Sequence, residues 1–328
     1  MRILDASAVD QLIDDEMVLD AIRRLFSLPT GPAEIGLGRI DLAHPNGWLR
    51  SLPAFVAGED LLGFKVLHRT AGVGMRYTIY VHRLSTGELI GIVDALEITN
   101  LRTGAVSALA TDFLARGDVS VAAIVGTGSV ARGQLRALEL VRPAAEVRVF
   151  ARTPENRRTF VDEMSRFVSG RLVDSPTLED ALEGAQMITL ATKSTSPVLR
   201  AAHLHPGIHV NSVGPASRDR VEVDPRAFAS FDRVICDSAA LVIDEAGDAH
   251  QAVSDHGFAP ELAEDLAQVV SGNAPGRTQP EEITLFKSVG TGAQDLIVAA
   301  GLLERAAAAD VGTVVGDVNS IKTIASGG

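Results

Sequence analysis

The chain has 328 residues, 46% hydrophobic and 22% charged, with a formal net charge of −12 at pH 7. This balance suits a globular protein with room for two cores, and the acidic excess argues against nucleic acid or an anionic membrane as partner, because both need a basic face. The single cysteine, Cys236 in the apolar run RVICDS, leaves no intrachain disulfide to form, and neither a secretory pattern nor a run of ~18 apolar residues is present, so a cytoplasmic protein is expected.

Helical spacing of Val9, Leu12, Ile13, Val18, Ile22, Leu25 and Phe26 predicts one amphipathic helix over 7–28, with Ser7 and Asp10 as a capping box. Residues 29–47 are rich in Pro and Gly and read as loop, with a short strand possible at 37–42. Strands are expected at 48–55, 63–67, 77–84 and 89–93, the last two joined by the turn Ser85-Thr86-Gly87-Glu88. A helix rich in small residues is expected from about Asn100, through RTGAVSALATDFLAR. From residue 119 the rhythm becomes strand–helix–strand, with helices at 129–141 and 154–167 and strands at 119–126, 146–151, 171–173, 186–191, 209–214 and 233–238. That alternation implies a parallel sheet covered on both faces, hence an α/β doubly wound fold. The tail carries TLFKSVG and then a helix through AQDLIVAAGLLERAAAA.

The stretch AAIVGTGSVARGQ, residues 122–134, is strand, then Gly126-x-Gly128-x-x-Ala131, then helix. In this context it is a Rossmann-type dinucleotide turn. Gly126 permits the tight turn, Gly128 lets a pyrophosphate approach, and Ala131 keeps helix and strand close. Thr127, Ser129 and Val130 complete the turn, where helix N–H groups favour an anion. After the next strand stand Ala151, Arg152 and Thr153, with Arg157 a turn later, and no Asp or Glu to hold a ribose 2′-hydroxyl. Arg152 offers a planar fork to a 2′-phosphate, so NADP(H) is expected over NAD(H); its alternative is a solvated loop residue. Thr192 and Ser194 follow the fourth parallel strand and stand at the carboxyl edge where ligands bind.

Six stretches together resemble the ornithine cyclodeaminase/mu-crystallin family. They are GFK at 63–65, STGELIGIVDALEITNLRTGAVSALATDFLAR at 85–116, IVGTGSVARGQ at 124–134, ATKSTSPVL at 191–199, HPGIHVNSVG at 205–214 and ITLFKSVGTGAQDL at 283–296. The resemblance implies a substrate-binding and dimerisation domain from 1–117 plus 291–328, an α+β unit into which the dinucleotide-binding domain, 118–290, is inserted. A homodimer through the substrate domain follows from it. So does a small 2-imino or 2-amino acid as substrate. Arg50, Lys65 and Arg102 match positions that grip the substrate carboxylate. Arg102 with Thr103, Val213, and Ser288, Val289 and Gly290 match positions facing the cofactor.

The family's cyclodeaminases carry an acid just after the NAVG-like strand; here the matching residue is Ala216, and Asp219 lies further along the loop. Alanine cannot shuttle a proton. The expected activity is therefore reduction of a small 2-imino acid, a ketimine or an imino dicarboxylate such as iminosuccinate, or the reverse oxidation. A cyclodeaminase with bound NAD and a non-enzymatic, crystallin-like binding protein remain as alternatives. Lys65 is the first candidate proton donor and His68 the second. His68 and Arg69 could hold a second carboxylate, or Arg69 could face solvent while His68 packs. Thr78 is a candidate substrate hydroxyl. Asp295 reads as structural. His203, His205 and His209 in HLHPGIH lack an acidic partner, so no metal is expected.

Overall fold

The computed structural model describes residues 1–29, 38–214, 216–316 and 318. Strand β1 (Arg2–Leu4) leads into helices α1 (Ala6–Leu12) and α2 (Asp15–Phe26). Five strands follow, each from the second on antiparallel to the one before: β2 (Ile40–His44), β3 (Gly47–Val56), β4 (Leu61–Thr70), β5 (Gly74–Arg83) and β6 (Leu89–Asp94). Helix α3 (Leu96–Leu114) then crosses to the parallel unit. That unit runs β7 (Val121–Val125), α4 (Ser129–Val141), β8 (Glu146–Phe150), α5 (Pro154–Met164), β9 (Arg171–Asp174), α6 (Leu178–Leu182) and β10 (Met187–Leu190). It continues with β11 (His209–Ser212), β12 (Arg233–Cys236), α7 (Ala239–Glu245), α8 (Gly247–His256), β13 (Ala263–Asp265), α9 (Leu266–Val270) and β14 (Thr284–Lys287). Helix α10 (Gly292–Ala309) and β15 (Thr313–Val314) return to the first sheet.

The first sheet has strand order β15-β1-β6-β5-β4-β3-β2, and the second, parallel throughout, has β13-β12-β14-β11-β10-β7-β8-β9. Strand order reverses between β7 and β10. In a doubly wound sheet that reversal opens a ligand crevice beyond the carboxyl ends of those strands. Helices α2, α3 and α10 share one apolar core with a face of the first sheet, through Ile22, Ile79, Val81, Ile98 and Ile297. The opposite sheet face carries Phe64 stacked on Tyr80, with ring centroids 4.8 Å apart.

Helix α3 is buried on nearly every side, and its small residues serve close contact. A Cβ on Gly104 would fall 2.2 Å from the Gly133 carbonyl oxygen, and one on Gly133 would fall 2.3 Å from that of Asn100. Helices α3 and α4 therefore touch backbone to backbone, which ties the dinucleotide turn to the first sheet. The helix begins at Leu96, ahead of the expected Asn100.

The single helix expected over 7–28 is two. Backbone at Ile13 is extended, and the Asp14 carboxylate accepts the Met17 N–H at 2.7 Å, starting a new helix. The first is capped by Asp5, which accepts from Ala8 at 2.9 Å, in place of Ser7. A charged oxygen outcompetes a hydroxyl for these N–H groups. The short strand expected at 37–42 is β2, and residue 37 lies outside the described residues. No helix among the described residues is long and apolar enough to cross a membrane.

Candidate active site

A cavity of about 210 Å³ opens between the two sheets, lined by residues of β3, β4, β5, α3 and α4 and by the loops that follow β11 and β14. Drug-sized ligands occupy roughly 300–1,000 Å³, so this space suits a smaller molecule. Its polar wall centres on Asp295, in the first turn of α10 and fully buried. Lys65 Nζ lies 2.6 Å from Asp295 Oδ2, and Arg102 Nε lies 3.0 Å from Oδ1. Arg102 Nη1 also donates to Gln294 Oε1 at 2.8 Å, while Lys65 Nζ reaches Thr99 Oγ1 at 3.5 Å. Two buried cations thus share one anion, leaving a unit of positive charge facing the cavity. Burial pushes the Lys65 ammonium down to about 8, with the Arg102 charge adding to the fall and Asp295 opposing it.

Gln294 passes the arrangement inward. Its amide donates to Asp237 Oδ2 at 3.1 Å, and that carboxylate also accepts from Ser288 Oγ and Gly290 N, both at 2.7 Å. Gly290 has φ +78°, and a Cβ there would meet Arg102 Nη1 at 2.5 Å. The Ser288–Gly290 wall is therefore shaped around the guanidinium.

Arg50 also lines the cavity but is largely engaged. It makes a two-pronged pair with Asp41 across β2–β3, both contacts 2.7 Å, and its third nitrogen reaches the Ala216 carbonyl at 3.3 Å. Arg39 is a cation absent from the sequence expectations. It pairs with Glu245 and donates to the carbonyls of Val289 and of Gly290, the latter at 2.8 Å. Burial and the neighbouring Arg50 push its guanidinium down to about 10. The apolar part of the lining is formed by Leu52, Leu67, Tyr77, Val130 and Val213, with Leu52 paired across the strands with Lys65 and Leu67 with Arg50.

Arg50, Lys65, Arg102, Thr103, Val130, Val213 and Ser288–Gly290 come together in this one cavity. His68 and Thr78 do not. Side chains alternate along a strand, and Leu67 and Tyr77 are the cavity's neighbours of these two. His68 and Thr78 therefore point to the other face of the sheet. Arg69 shares the parity of Lys65 but sits at the exposed end of β4, four residues or ~13 Å away along the strand. The second-carboxylate role considered for His68 and Arg69 has no geometric support.

At the sheet crevice, Gly126 has φ +115°, and a Cβ there would lie 2.3 Å from the Ala191 carbonyl oxygen, so only glycine fits. Around Gly128, the N-cap of α4, a Cβ would meet nothing within 4 Å. Open space beside Thr127, Ser129 and the free N–H groups of a helix start is what a pyrophosphate requires, so these residues fit a dinucleotide. Arg152 and Thr153 are exposed beyond β8, and Arg152 has no side-chain partner among the described residues. Arg157 is spent: its Nε lies 2.5 Å from Asp174 Oδ1 and its Nη1 donates to Ala151 O at 2.8 Å. These contacts make Arg157 a brace for the loop that carries Arg152. Thr192 gives its backbone N–H to Glu222 at 2.6 Å, and the Ser194 hydroxyl turns back onto Ser196 O at 2.6 Å.

Among the described residues no group of three His, Cys, Asp or Glu side chains is placed to hold a metal. His209 is buried between Thr284 and Asn211, at 2.9 and 3.2 Å, while His205 faces the Ala185 carbonyl at 3.0 Å.

Sequence reasoning missed the part played by Asp295 and passed over Gln294, Asp237, Glu222 and Arg39. One signal was present. Gln294 and Asp295 open a helix that is otherwise almost wholly apolar, and a polar pair there needs buried partners.

The chain is similar in sequence and in fold to known proteins. Residues 38–310 match the profile of the ornithine cyclodeaminase/mu-crystallin family. The chain is 31% identical over 285 residues to a Delta(1)-pyrroline-2-carboxylate reductase of Bacillus cereus, covering 85% of this chain and 87% of that one. It is 30% identical over 266 residues to the ketimine reductase mu-crystallin of Rattus norvegicus, covering 79% and 81%. Among solved structures, Thermococcus litoralis Delta(1)-pyrroline-2-carboxylate reductase in complex with NADH and L-proline superposes with a TM-score of 0.89 at 30% identity, covering 96% of this chain and 100% of that one.

Proposed function

The chain belongs to the ornithine cyclodeaminase/mu-crystallin family, and we propose that it is an NAD(P)H-dependent reductase of a small 2-imino monocarboxylate, working also in reverse on the 2-amino acid. The observation that carries this reading is the Lys65–Asp295–Arg102 cluster beside an apolar wall and a dinucleotide turn. Asp295 cancels one of two buried charges, so the cavity accepts one carboxylate. With Arg50 held by Asp41 and Arg39 by Glu245, no cation among the described lining residues is left over for a second. Leu52, Leu67 and Tyr77 suit a hydrocarbon side chain or ring, as in Delta(1)-pyrroline-2-carboxylate.

A bound dinucleotide supplies the hydride that reaches the C=N carbon. The chain's own residues do the rest. Lys65 and Arg102 fix the carboxylate with charged hydrogen bonds, each contributing roughly 1.5–3 kcal/mol. Such a grip holds the imine carbon in one orientation. Lys65, still protonated near neutral pH but with a lowered pKa, is the group that can pass a proton to the imine nitrogen. Ala216, whose carbonyl faces Arg50, offers no acid for ammonia elimination, which disfavours a cyclodeaminase.

Finer points belong to the same proposal. Arg152, unpaired among the described residues and with no carboxylate beside it, favours NADP(H) over NAD(H). We divide the chain as two domains, 1–117 plus 291–328 and 118–290, each built on one of the two sheets. A homodimer through the first is supported by exposed apolar residues on its outer strands, Ile40, Leu42 and Phe55 among them. The deciding experiment offers NADPH or NADH with Delta(1)-pyrroline-2-carboxylate, with its six-membered homologue, and with oxaloacetate plus ammonia. Cofactor oxidation with the cyclic monocarboxylates and little with the dicarboxylate is expected. Ammonia release from ornithine without net cofactor change would refute the proposal.

A further inference from the structure

Behind the cavity wall, besides the buried Asp237 carboxylate already described, lie three further buried ionisable side chains that the scheme above does not use. Glu222, Asp248 and Lys287 are 2%, 1% and 3% exposed. Lys287 and Asp248 form an ion pair at 2.8 Å, and the same Asp248 oxygen accepts the backbone N–H groups of Glu222 and Val223, both at 3.2 Å. Glu222 is different, since its partners among the described residues are all neutral. Thr192 N donates to it at 2.6 Å, and Ser212 Oγ and Gly214 N both do so at 2.8 Å. Ser212 Oγ itself accepts from Lys287 Nζ at 2.8 Å, so its own proton is turned toward Glu222. Three donors converge on this carboxylate, as the ionised form requires. The cluster therefore carries one cation and two anions, a net charge of −1.

A buried carboxylate without a cation is costly to keep. It is also brought close to the cavity. A Cβ on Gly214 would fall 2.4 Å from the Glu222 carboxyl carbon, and Gly214 and Val213 line the same cavity as Lys65 and Arg102. If the protein binds a dinucleotide as proposed above, the redox end must enter this cavity to meet a carboxylate held by those two cations. Its nicotinamide ring is neutral when reduced and cationic once the hydride has left.

We propose that Glu222 is the counter-charge to the oxidised nicotinamide, a positioning residue that acts through Gly214 and Thr192 and sets the relative affinity for the two redox states. Favouring the cationic ring makes the bound reduced form a stronger hydride donor, which is the direction imine reduction needs. Hydride leaves the ring for the imine carbon, a proton reaches nitrogen, and the positive charge that remains on the ring meets the negative charge behind the wall.

The test is calorimetric. Dissociation constants for the oxidised and reduced forms of whichever dinucleotide binds are measured for the wild type, Glu222→Gln and the double variant Asp248→Asn/Lys287→Met. The double variant removes one charge of each sign from the same cluster. Glu222→Gln should raise the oxidised-to-reduced ratio of dissociation constants roughly tenfold, the size of a unit-charge interaction at an effective protein dielectric. The double variant should stay within about twofold of the wild type, since its net charge is unchanged. Glu222→Ala serves if the amide cannot sit against two N–H groups. An unchanged ratio in both Glu222 variants, or an equal shift in the double variant, overturns the proposal. A wild type that binds the reduced form more than about tenfold tighter overturns it as well, even if neither Glu222 variant folds. A wild type that binds neither form refutes the dinucleotide reading beneath it, a result distinct from binding with an unmoved ratio.

Discussion

Lys65 Nζ and Asp295 Oδ2 lie 2.6 Å apart with both residues almost wholly buried, one from the middle of β4 and the other from the start of α10. Desolvation disfavours the ammonium and Asp295 supports it, with desolvation the larger effect, so the lysine proton is held near pH 8. As pH rises through about 8, Lys65 loses that proton, and with it both the carboxylate contact and the proton donor. The rate of imine reduction should accordingly fall on the alkaline side with a midpoint near 8. Lys65→Met should lower kcat/KM by roughly 10²–10⁴ and abolish that limb. A pH–rate profile of both proteins checks this, and an alkaline limb that survives in Lys65→Met assigns it to another group.

Asp295→Asn removes the anion that Lys65 and Arg102 share. The lysine pKa should then fall below its present value, because the supporting charge is gone and the Arg102 repulsion remains. The alkaline limb should move to lower pH by about one unit or more. The fold should lose roughly 3–5 kcal/mol, the usual cost of breaking a buried pair by removing one member. Urea unfolding and the pH profile test the two effects separately. A destabilised protein with an unmoved limb would show that Asp295 only holds the helix.

Arg152 and Arg157 stand five residues apart with opposite situations. The first is exposed and without a side-chain partner among the described residues, and the second is fixed to Asp174 and Ala151 O. Arg152→Ala should raise KM for NADPH roughly tenfold, the loss of about one charged hydrogen bond, with little change for NADH. Arg157→Ala should weaken both cofactors alike and lower the melting temperature. Equal effects of Arg152→Ala on NADPH and NADH would remove the 2′-phosphate role.

These contrasts show what was legible in the sequence. The glycine turn was, because strand, glycines and helix are contiguous, and the helix expected at 129–141 is α4 with those bounds. The antiparallel strands were legible in type, though each observed strand extends beyond its expected bounds at one end or both. Which face His68 and Thr78 take depends on register against neighbouring strands, and a one-residue change reverses the face. The single helix over 7–28 divides because Asp14 finds a local N–H partner, a competition that hydrophobic spacing does not record. Asp295, Gln294 and Asp237 are joined to Arg102 only by long-range packing, with Arg102 and Asp295 separated by 193 positions. The local pattern of a polar pair opening an apolar helix calls for buried partners without naming them.

Far from the cavity, His209 bears on acid stability. It is fully buried among Thr111, Asn211 and Thr284, and burial together with the Arg277 charge pushes its imidazole down to about 3. In the unfolded chain the same ring titrates near 6.5. Between those values the unfolded state holds a proton that the folded state refuses, so stability rises with pH across the window and is lost as pH falls below about 6.5. The slope is about 1.4 kcal/mol per pH unit, so a drop from pH 7 to pH 5 should cost about 2 kcal/mol through this residue alone. His209→Gln keeps an acceptor and a donor in the same place and cannot titrate, so it should lose about 2 kcal/mol less than the wild type over that interval, whatever its stability at pH 7. Urea unfolding of both proteins at the two pH values measures the difference. Parallel losses would mean that the ring is already protonated in the folded state, with Thr111, Asn211 and Thr284 all acting as acceptors.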